Sequence, residues 1–238
     1  MKTLEKVLRE GFAAFQLPLS EEAIERYRMY HEALEETNKV MNLTAITGEE
    51  EVAQLHFLDC AALLTVADLH GKTVYDIGTG AGFPGLALKI ACPDMSLTLL
   101  DSLDKRVAFL KETCGKLGFS DVQCLHARAE EAAKEHREKA DVVTSRAVAG
   151  LNVLAELCLP YVREGGVFLA MKGPAFEEEL EQAKPAIKVL GGKTEKCVVY
   201  TIPGTEIRHS AIVIRKVRKT PEQYPRRWAQ IKKLAIRN

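Results

Sequence analysis

The sequence predicts an α/β fold: a mostly parallel, seven-stranded sheet, preceded by a helical segment and completed by an antiparallel hairpin. Three observations predict it. After Gly71, short apolar runs alternate with segments of helical periodicity, which is typical of a parallel sheet covered by helices on both faces. The residues before Gly71 have helical periodicity. Near the carboxyl terminus two apolar runs follow each other with no helix between them, which indicates a hairpin at the sheet edge.

The amino-terminal segment predicts three helices. Apolar residues at helical spacing place the first over residues 4–12. Ser20, followed by acidic residues, predicts the cap of a second helix that extends to about Asn38. The Asn- and Thr-rich run 42–47 breaks the pattern, and a third helix is expected over residues 48–64.

Seven apolar runs predict the strands of the sheet. They are TVYDIG, SLTLLD, VQCLHA, ADVVTSR, GGVFLAMKG, KCVVYTIP and SAIVIRKV. We expect residues 1–70 to form a helical cap packed on the core, residues 71–218 to form the sheet domain, and residues 219–238 to form a basic carboxyl-terminal tail.

Composition excludes several classes of protein. The chain has 238 residues, 47% hydrophobic and 28% charged, which is typical of a globular protein and too apolar for disorder. It has no apolar run of membrane-spanning length, and its first residues lack the apolar centre of a signal peptide. The six cysteines are scattered, with no Cys-x-x-Cys pair. We therefore expect free thiols, no metal site, no membrane contact and a cytoplasmic location.

Charge is balanced overall but unevenly distributed. Residues 215–238 carry nine basic residues against Glu222, a net charge of +8, so the other 214 residues carry a net charge of −8. A basic tail on an acidic body favours a polyanionic partner such as a nucleic acid, although a solubilising tail would look the same.

The strongest motif is DIGTGAGFPG, residues 76–85, which follows a predicted strand and precedes a predicted helix. Two glycine spacings can be recognised in this motif, and each is typical of a different kind of ligand-binding loop. Gly80, Gly82 and Gly85 fit the spacing of a dinucleotide-binding loop. Asp76, Gly78, Gly80 and Gly82 fit the pattern of Rossmann-like methyltransferases that bind S-adenosylmethionine.

Three features favour S-adenosylmethionine over a dinucleotide. Pro84 lacks the backbone donor that a pyrophosphate would use. Asp76 would repel a pyrophosphate but attract an ammonium or a sulfonium. The final hairpin is typical of methyltransferase sheets. Asp101, at the end of the next strand, could bind the ribose hydroxyls of either ligand. Ala129 and Glu130 follow the third strand, where an adenine is expected, although they equally suit an ordinary helix start.

The end of the fourth strand, TSRAVA (residues 144–149), indicates the kind of acceptor. It lacks the Asn/Asp-Pro-Pro-aromatic motif typical of enzymes that methylate exocyclic amines, and Cys158 lacks the Pro-Cys context of pyrimidine-carbon enzymes. Arg146 stays charged and cannot accept a proton, although it can pair with a carboxylate or a phosphate. The strand end therefore favours an acceptor with its own free lone pair, such as the N7 of guanine.

Over nearly its whole length the chain resembles the bacterial small-subunit ribosomal RNA guanine-N7 methyltransferases, the GidB family. The matching segments are NKVMNLTAIT, HFLDC, DIGTGAGFPG, LLDSLDKR, HARAE, TSRAVA and LAMKG. The resemblance implies a class I methyltransferase that uses S-adenosylmethionine to methylate one guanine N7 in 16S rRNA, at nucleotide 527 of the 530 loop. It implies 16S rRNA or the small ribosomal subunit as partner, and we expect a monomer.

The resemblance also implies a cofactor site. Its residues are Gly78, Phe83, Ala129, Glu130 and Arg146, with Asp101, Ser102 and Leu103 close by. Arg146 and Lys172 are expected to position substrate, and no general base is expected. The segments of Asn42, His56 and Asp59 also match the family, without an assigned role for these three residues.

Two other functions remain open from the sequence. An NAD-dependent oxidoreductase could use the same glycine loop. A non-catalytic module could bind S-adenosylmethionine and RNA without transferring a methyl group.

Overall fold

A computed structural model describes residues 3–146, 149–233 and 236. It contains one seven-stranded sheet in the order β3-β2-β1-β4-β5-β7-β6. The strands are β1 (Thr73–Ile77), β2 (Ser96–Asp101), β3 (Gln123–His126), β4 (Ala140–Arg146), β5 (Val162–Lys172), β6 (Gly192–Thr201) and β7 (Arg208–Lys216). β1 to β5 pair in parallel, whereas β7 is antiparallel to both β5 and β6. The predicted mostly parallel sheet with a carboxyl-terminal hairpin is confirmed.

Helices connect the strands and precede them. They are α1 (Thr3–Ala14), α2 (Glu21–Met41), α3 (Glu49–Val52), α4 (Asp59–Ala61), α5 (Gly85–Ala91), α6 (Asp104–Lys116), α7 (Ala129–Ala132), α8 (Leu151–Cys158), α9 (Glu177–Val189) and α10 (Trp228–Lys233). The strand order reverses between β1 and β4, so the loops after these two strands diverge and leave a crevice at their carboxyl ends.

The third predicted helix is not uniform. A π-helical segment, Ala53–Leu58, joins α3 to α4, and a 3₁₀ segment, Ala62–Thr65, follows. π-helical turns occur frequently at functional sites, because the extra residue displaces side chains from the regular helical position. Here the irregular segment holds His56 and ends next to Asp59.

Two capping residues bound the second helix, of which Ser20 was predicted from the sequence. The Ser20 hydroxyl accepts a hydrogen bond from the Ala23 amide at 3.1 Å, as an N-cap residue should. Asn42 ends the helix in the left-handed conformation, with φ 47°, a position that asparagine tolerates well. The loop that leads to α3 therefore starts in a fixed direction.

Two hydrophobic clusters cover the two faces of the sheet. The first joins α1 and α2 to the sheet through residues such as Leu8, Tyr27 and Leu99. Tyr27 also donates its hydroxyl to the Ala87 carbonyl at 2.8 Å, and Tyr30 donates to the Ala81 carbonyl. The amino-terminal helices thus contact the glycine loop directly. The boundaries of a separate cap at residue 70 remain a proposal.

The second cluster contains Ile231 and Ile236 of the basic tail, together with apolar residues of α8 and α9. Arg226 pairs with the buried Glu156 at 2.7 Å, and Thr220 is buried. These contacts hold the described part of the tail against the body. Arg237 lies outside the described residues. Among the residues that the structure describes, no helix combines the length and the apolarity that crossing a bilayer requires.

Candidate active site

A cavity of about 500 Å³ lies in the crevice at the carboxyl ends of β1 to β4. Its wall includes nine of the residues that the sequence predicts for a cofactor: Gly78, Gly80, Phe83, Asp101, Ser102, Leu103, Ala129, Glu130 and Arg146. They come from the ends of β2 and β4 or the segments that follow β1, β2 and β3, so the fold brings together residues that are up to 68 positions apart in the chain. Ala147 and Val148 of the TSRAVA motif lie outside the described residues.

Asp76 and Gly82, also predicted to bind the cofactor, do not line this cavity. A Cβ at Gly82 would collide with the Tyr30 hydroxyl, and its φ of +105° suits glycine, so Gly82 allows α2 to approach the loop. Asp76 is fully buried beneath the loop. Both residues support the wall from behind.

Most backbone amides of the glycine loop are hydrogen-bonded to other groups of the protein. Gly78 and Thr79 donate to the Leu100 carbonyl, Gly82 and Phe83 donate to the Thr79 carbonyl, and Gly80 donates to Asp101. A dinucleotide loop needs such amides for the pyrophosphate. In this loop five of them are already bonded.

Asp76 occupies the position that a phosphate would take at the start of α5. Its Oδ2 accepts hydrogen bonds from the Gly85 amide at 2.7 Å and the Thr79 hydroxyl at 2.6 Å. Its Oδ1 is buried and has no partner. Burial raises the pKa of Asp76 to about 6, although both of these hydrogen bonds oppose the rise. A carboxylate at the helix start excludes a pyrophosphate and favours a cationic group nearby.

Asp101 holds the loop after β2. One carboxylate oxygen accepts from the Gly80 amide at 2.9 Å and the other from the Leu103 amide at 2.9 Å. Each oxygen keeps a second lone pair, so Asp101 can also accept from the hydroxyl groups of a ribose in the cavity. The structure thereby supports the predicted ribose role without testing it.

Among the other residues that line the cavity, the sequence analysis did not assign Leu43, Thr44, His56 or Trp228 to it. The His56 ring stacks on Phe83, with centroids 4.3 Å apart, and the Arg146 guanidinium lies 4.9 Å from the centre of the same ring. The motif segments NLTAIT and HFLDC are the sequence features that could have indicated a role for Thr44 and His56 at this cavity. Trp228 had no signal for this cavity, because its place depends on how the tail packs.

Arg146 is the centre of a polar cluster. It donates to the Leu55 carbonyl and to Asp59 at 3.1 Å each, and to His56 Nδ1 at 3.0 Å. Burial, together with the charge of the neighbouring guanidinium, lowers the pKa of His56 to about 3. His56 is therefore neutral at physiological pH.

Asp59 receives three side-chain donors. Arg146 binds one oxygen, while His209 and Tyr200 bind the other at 2.8 Å each. Burial alone would raise the pKa of Asp59, but the His209 hydrogen bond and the charge of Arg146 outweigh it, so the pKa is lowered. The hydrogen bond to Asp59 in turn raises the pKa of His209.

Lys172 lies away from the first cavity. Its ammonium donates to the Ala149 carbonyl and to Glu179 at 2.7 Å each, and its side chain lines a second cavity. The two cavities share His56 and Arg146 as a common wall. Arg146 and Lys172, predicted as positioning residues, thus meet at the second cavity.

The chain matches a family model described as GidB: rRNA small subunit methyltransferase G, over residues 23–209. It is 44% identical to ribosomal RNA small subunit methyltransferase G of Clostridium botulinum (strain Loch Maree / Type A3) over 95% of this chain and 96% of that protein. It is 46% identical to the protein of the same name from Pelotomaculum thermopropionicum, with the same coverage of each chain.

Solved structures share the fold at lower identity. TYW2 of M. jannaschii, solved in complex with AdoMet, superposes with a TM-score of 0.53 at 14% identity, over 84% of this chain and 79% of that one. This likeness shows the Rossmann-like fold alone.

Proposed function

The chain belongs to the GidB family of rRNA small subunit methyltransferases, and from this we propose that it transfers a methyl group from S-adenosylmethionine to the N7 of a guanine in 16S rRNA. The family establishes rRNA methylation with S-adenosylmethionine as the methyl donor. The choice of guanine N7, and of nucleotide 527 in the 530 loop, is the finer part of the proposal.

The internal bonding of the glycine loop is the observation that carries the cofactor assignment. With five loop amides already bonded and the Asp76 carboxylate at the start of α5, the glycine loop offers a pyrophosphate few free donors and an unfavourable local potential. The buried Asp76 carboxylate does not line the cavity, but its charge behind the loop favours a cationic ligand over an anionic one. The NAD-dependent alternative is therefore disfavoured.

Different residues of the cavity bind different parts of the cofactor in this proposal. We assign the ribose to Asp101, the adenine to the region of Ala129 and Glu130, and the methionine portion to the loop at Gly78 and Gly80. When bound, S-adenosylmethionine supplies a methyl group activated by a positively charged sulfur. The residues of the chain then have to orient the acceptor and exclude water.

Three residues at the centre of the polar cluster are poorly suited to remove a proton. Arg146 can only donate hydrogen bonds, the Nδ1 lone pair of His56 is already engaged by Arg146, and Asp59 already accepts from three side chains. An exocyclic amine would have to lose a proton during methylation, whereas guanine N7 carries a free lone pair. This arrangement supports N7 as the acceptor atom.

Methyl transfer to the small ribosomal subunit tests the proposal. Subunits from cells that lack the enzyme are incubated with labelled S-adenosylmethionine, and the RNA is then treated with borohydride and aniline, which cleave at N7-methylguanine. We expect label in 16S rRNA and one new cleavage at nucleotide 527. Label without cleavage would contradict N7, and cleavage elsewhere would contradict the nucleotide.

Binding measurements separate the other functions. Calorimetry should show S-adenosylhomocysteine binding and no NAD binding. Binding of both cofactor and RNA without any label transfer would instead support the non-catalytic module. We further propose that the protein acts as a monomer in the cytoplasm, where its RNA substrate is found.

A further inference from the structure

A second cavity of about 520 Å³ adjoins the proposed cofactor cavity. The carboxyl ends of β4 and β5, the π-helical segment and the start of β7 enclose it. Its wall is formed by Ile46, Leu55, His56, Asp59, Arg146, Met171, Lys172, Gly173, Ile207 and His209. His56 and Arg146 belong to both cavities, so a ligand in the second cavity would lie beside a ligand in the first.

The wall combines apolar and polar surfaces. Ile46, Leu55 and Met171 offer apolar contacts, and Ile207 is a large apolar side chain that is 42% exposed. An apolar cavity with a few convergent polar groups is the usual form of a small-ligand site. A flat, aromatic ligand with a polar edge, such as a nucleobase, fits these surfaces.

The polar groups of the wall are arranged as donors. Both oxygens of Asp59 are occupied by Arg146, His209 and Tyr200, so the carboxylate fixes these groups and leaves little acceptor capacity of its own. Lys172 adds an ammonium, held by Glu179 at 2.7 Å. A ligand edge made of acceptors complements such a wall. Guanine presents O6 and N7 as acceptors on one edge, whereas adenine presents an amino donor beside N7.

We propose that the second cavity binds the target nucleotide, an unpaired guanosine turned out of its stack, with its O6 toward the donor groups around Asp59 and its N7 lone pair toward the cofactor cavity. This inference rests on the proposed function and adds the location and the chemistry of the acceptor site. Enzymes that modify a base commonly extrude it into a pocket, because the reacting atom is otherwise covered by neighbouring bases. The cluster of Asp59 and His209 is thereby a positioning device for the base.

Gly173 provides a selective way to fill this cavity. A Cβ added at Gly173 would meet no atom within 4 Å, so a larger side chain can enter without displacing the protein. Gly115, on the exposed side of α6, is equally free of neighbours and lies in neither cavity. Gly173→Phe and Gly115→Phe therefore form a matched pair.

We expect Gly173→Phe to reduce the rate of methyl transfer to small subunits by about 100-fold, because the base can no longer reach its position. Its affinity for S-adenosylhomocysteine should stay within about twofold of wild type, which also shows that the protein is folded. Gly115→Phe should leave both quantities unchanged. Transfer at the wild-type rate by Gly173→Phe would overturn the proposal.

A second pair keeps the test decisive if Gly173→Phe fails to fold. Ile207→Asp places a negative charge at the mouth of the cavity, and Val199→Asp places it at another exposed position, 39% exposed, on β6. We expect slower transfer and a higher KM for RNA only in Ile207→Asp. Equal effects of the two substitutions would count against the site.

Nucleotide binding separates this proposal from the proposed function. With S-adenosylhomocysteine present, guanosine 5′-monophosphate should bind wild type more tightly than adenosine 5′-monophosphate does, and the preference should vanish in Gly173→Phe. No preference in wild type would contradict the cavity assignment even if 16S rRNA is methylated. Guanosine binding without any methyl transfer would contradict the proposed function and leave the pocket in place.

Discussion

Arg146 donates a hydrogen bond from Nη2 to Nδ1 of His56 over 3.0 Å. Because a guanidinium has no acceptor, His56 must offer its Nδ1 lone pair and carry its proton on Nε2. The Nε2 proton then points to the Thr44 hydroxyl, 2.8 Å away. Arg146 thus fixes the tautomer of His56, which lines both cavities. His56 in turn holds Thr44, in the loop after α2.

We expect the His56 imidazole to remain neutral, with the proton on Nε2, between pH 5 and pH 8. Burial and the charge of Arg146 together lower its pKa to about 3. Nitrogen and carbon chemical shifts of the labelled ring, assigned with the His56→Gln variant, measure both the tautomer and the charge. A His56 signal that titrates near pH 6.5 would contradict this account.

The sheet and the glycine loop were accessible from the sequence because both depend on local patterns. Apolar runs of strand length and helical periodicity predict the seven strands, and DIGTGAGFPG marks the turn between β1 and α5. Nine of the predicted cofactor residues line one cavity for the same reason, since they follow the ends of successive parallel strands.

The cluster of side chains around Asp59 could not be predicted from local sequence patterns. Arg146 is 87 residues from Asp59, and His209 is 150 residues from it, so no short-range pattern links them. The π-helical segment was missed as well, because apolar spacing in a short stretch does not distinguish it from an α-helix. Asp76 and Gly82 look like ligand-binding residues by their motif, whereas in the structure neither of them lines the cavity.

Trp228 gives a direct optical test of the cofactor cavity, because it is the only tryptophan in the chain. It lines the cavity with Ala129, Glu130 and Leu157, and its side chain remains partly exposed. An adenine bound there would stack close to the indole. We expect saturable quenching of its fluorescence by S-adenosylhomocysteine, with the same Kd as calorimetry gives.

Two ligand fragments and two variants complete the Trp228 measurement. Methylthioadenosine should quench the fluorescence, whereas methionine, which lacks the adenine, should not. Trp228→Ala should weaken S-adenosylhomocysteine binding by roughly 0.5–1.5 kcal/mol, the usual contribution of an aromatic pair, and Trp228→Phe by less. Fluorescence that does not respond to a saturating ligand would remove Trp228 from the site.

The basic tail should separate into residues that stabilise the fold and residues that bind RNA. Arg226 pairs with Glu156, which is 1% exposed, so Arg226→Gln leaves a buried carboxylate without its charged partner. We expect a loss of about 3–5 kcal/mol in the free energy of unfolding. Chemical denaturation measures it, with Arg227→Gln, an exposed neighbour, as the control.

Lys232 and Lys233 are exposed and lie at the end of α10. Replacing both with glutamine should leave stability almost unchanged and weaken RNA binding. Each lost phosphate contact should reduce the slope of log affinity against log salt by about 0.7 to 0.9. An unchanged slope would show that the tail only solubilises the protein.

Asp76 should give the protein an unusual dependence of stability on pH. Burial raises its pKa to about 6, from 3.8. A carboxyl group whose pKa is raised by folding stabilises the folded state at low pH; this contribution is complete below about pH 3.8 and is lost as the pH rises through about 6. The asparagine of Asp76→Asn cannot titrate, so the stability of this variant does not fall in this pH range for that reason.

We therefore expect the stability of Asp76→Asn relative to wild type to increase by about 2–3 kcal/mol between pH 4 and pH 7, from the size of the shift in pKa. Urea unfolding of both proteins without cofactor measures this difference. Asp141 serves as the comparison, because hydrogen bonds lower its pKa; its stabilising contribution is lost only as the pH falls below about 3.8, so the difference between Asp141→Asn and wild type should be almost constant from pH 4 to pH 7. A constant difference for Asp76→Asn would contradict the assigned pKa.

The chemical step should not depend on a proton. Guanine N7 offers a free lone pair, so its attack requires alignment with the methyl group and no base. His209 is a titratable residue at the second cavity, and its hydrogen bond to Asp59 raises its pKa. Because we assign it to holding the base, its ionisation should change the KM for RNA and leave the saturated single-turnover rate unaffected.

We accordingly expect that rate to be nearly constant from pH 6.5 to 8.5, where a histidine base would impose a slope near one. Arg146→Lys keeps the charge but loses the planar fork that joins His56, Asp59 and Leu55, so the rate should fall by about 100-fold without any new ionisation. His56→Ala should lower the rate and keep the flat profile. An ionisation in wild type that disappears in His56→Ala would make His56 a general base and would rule out unaided attack by N7.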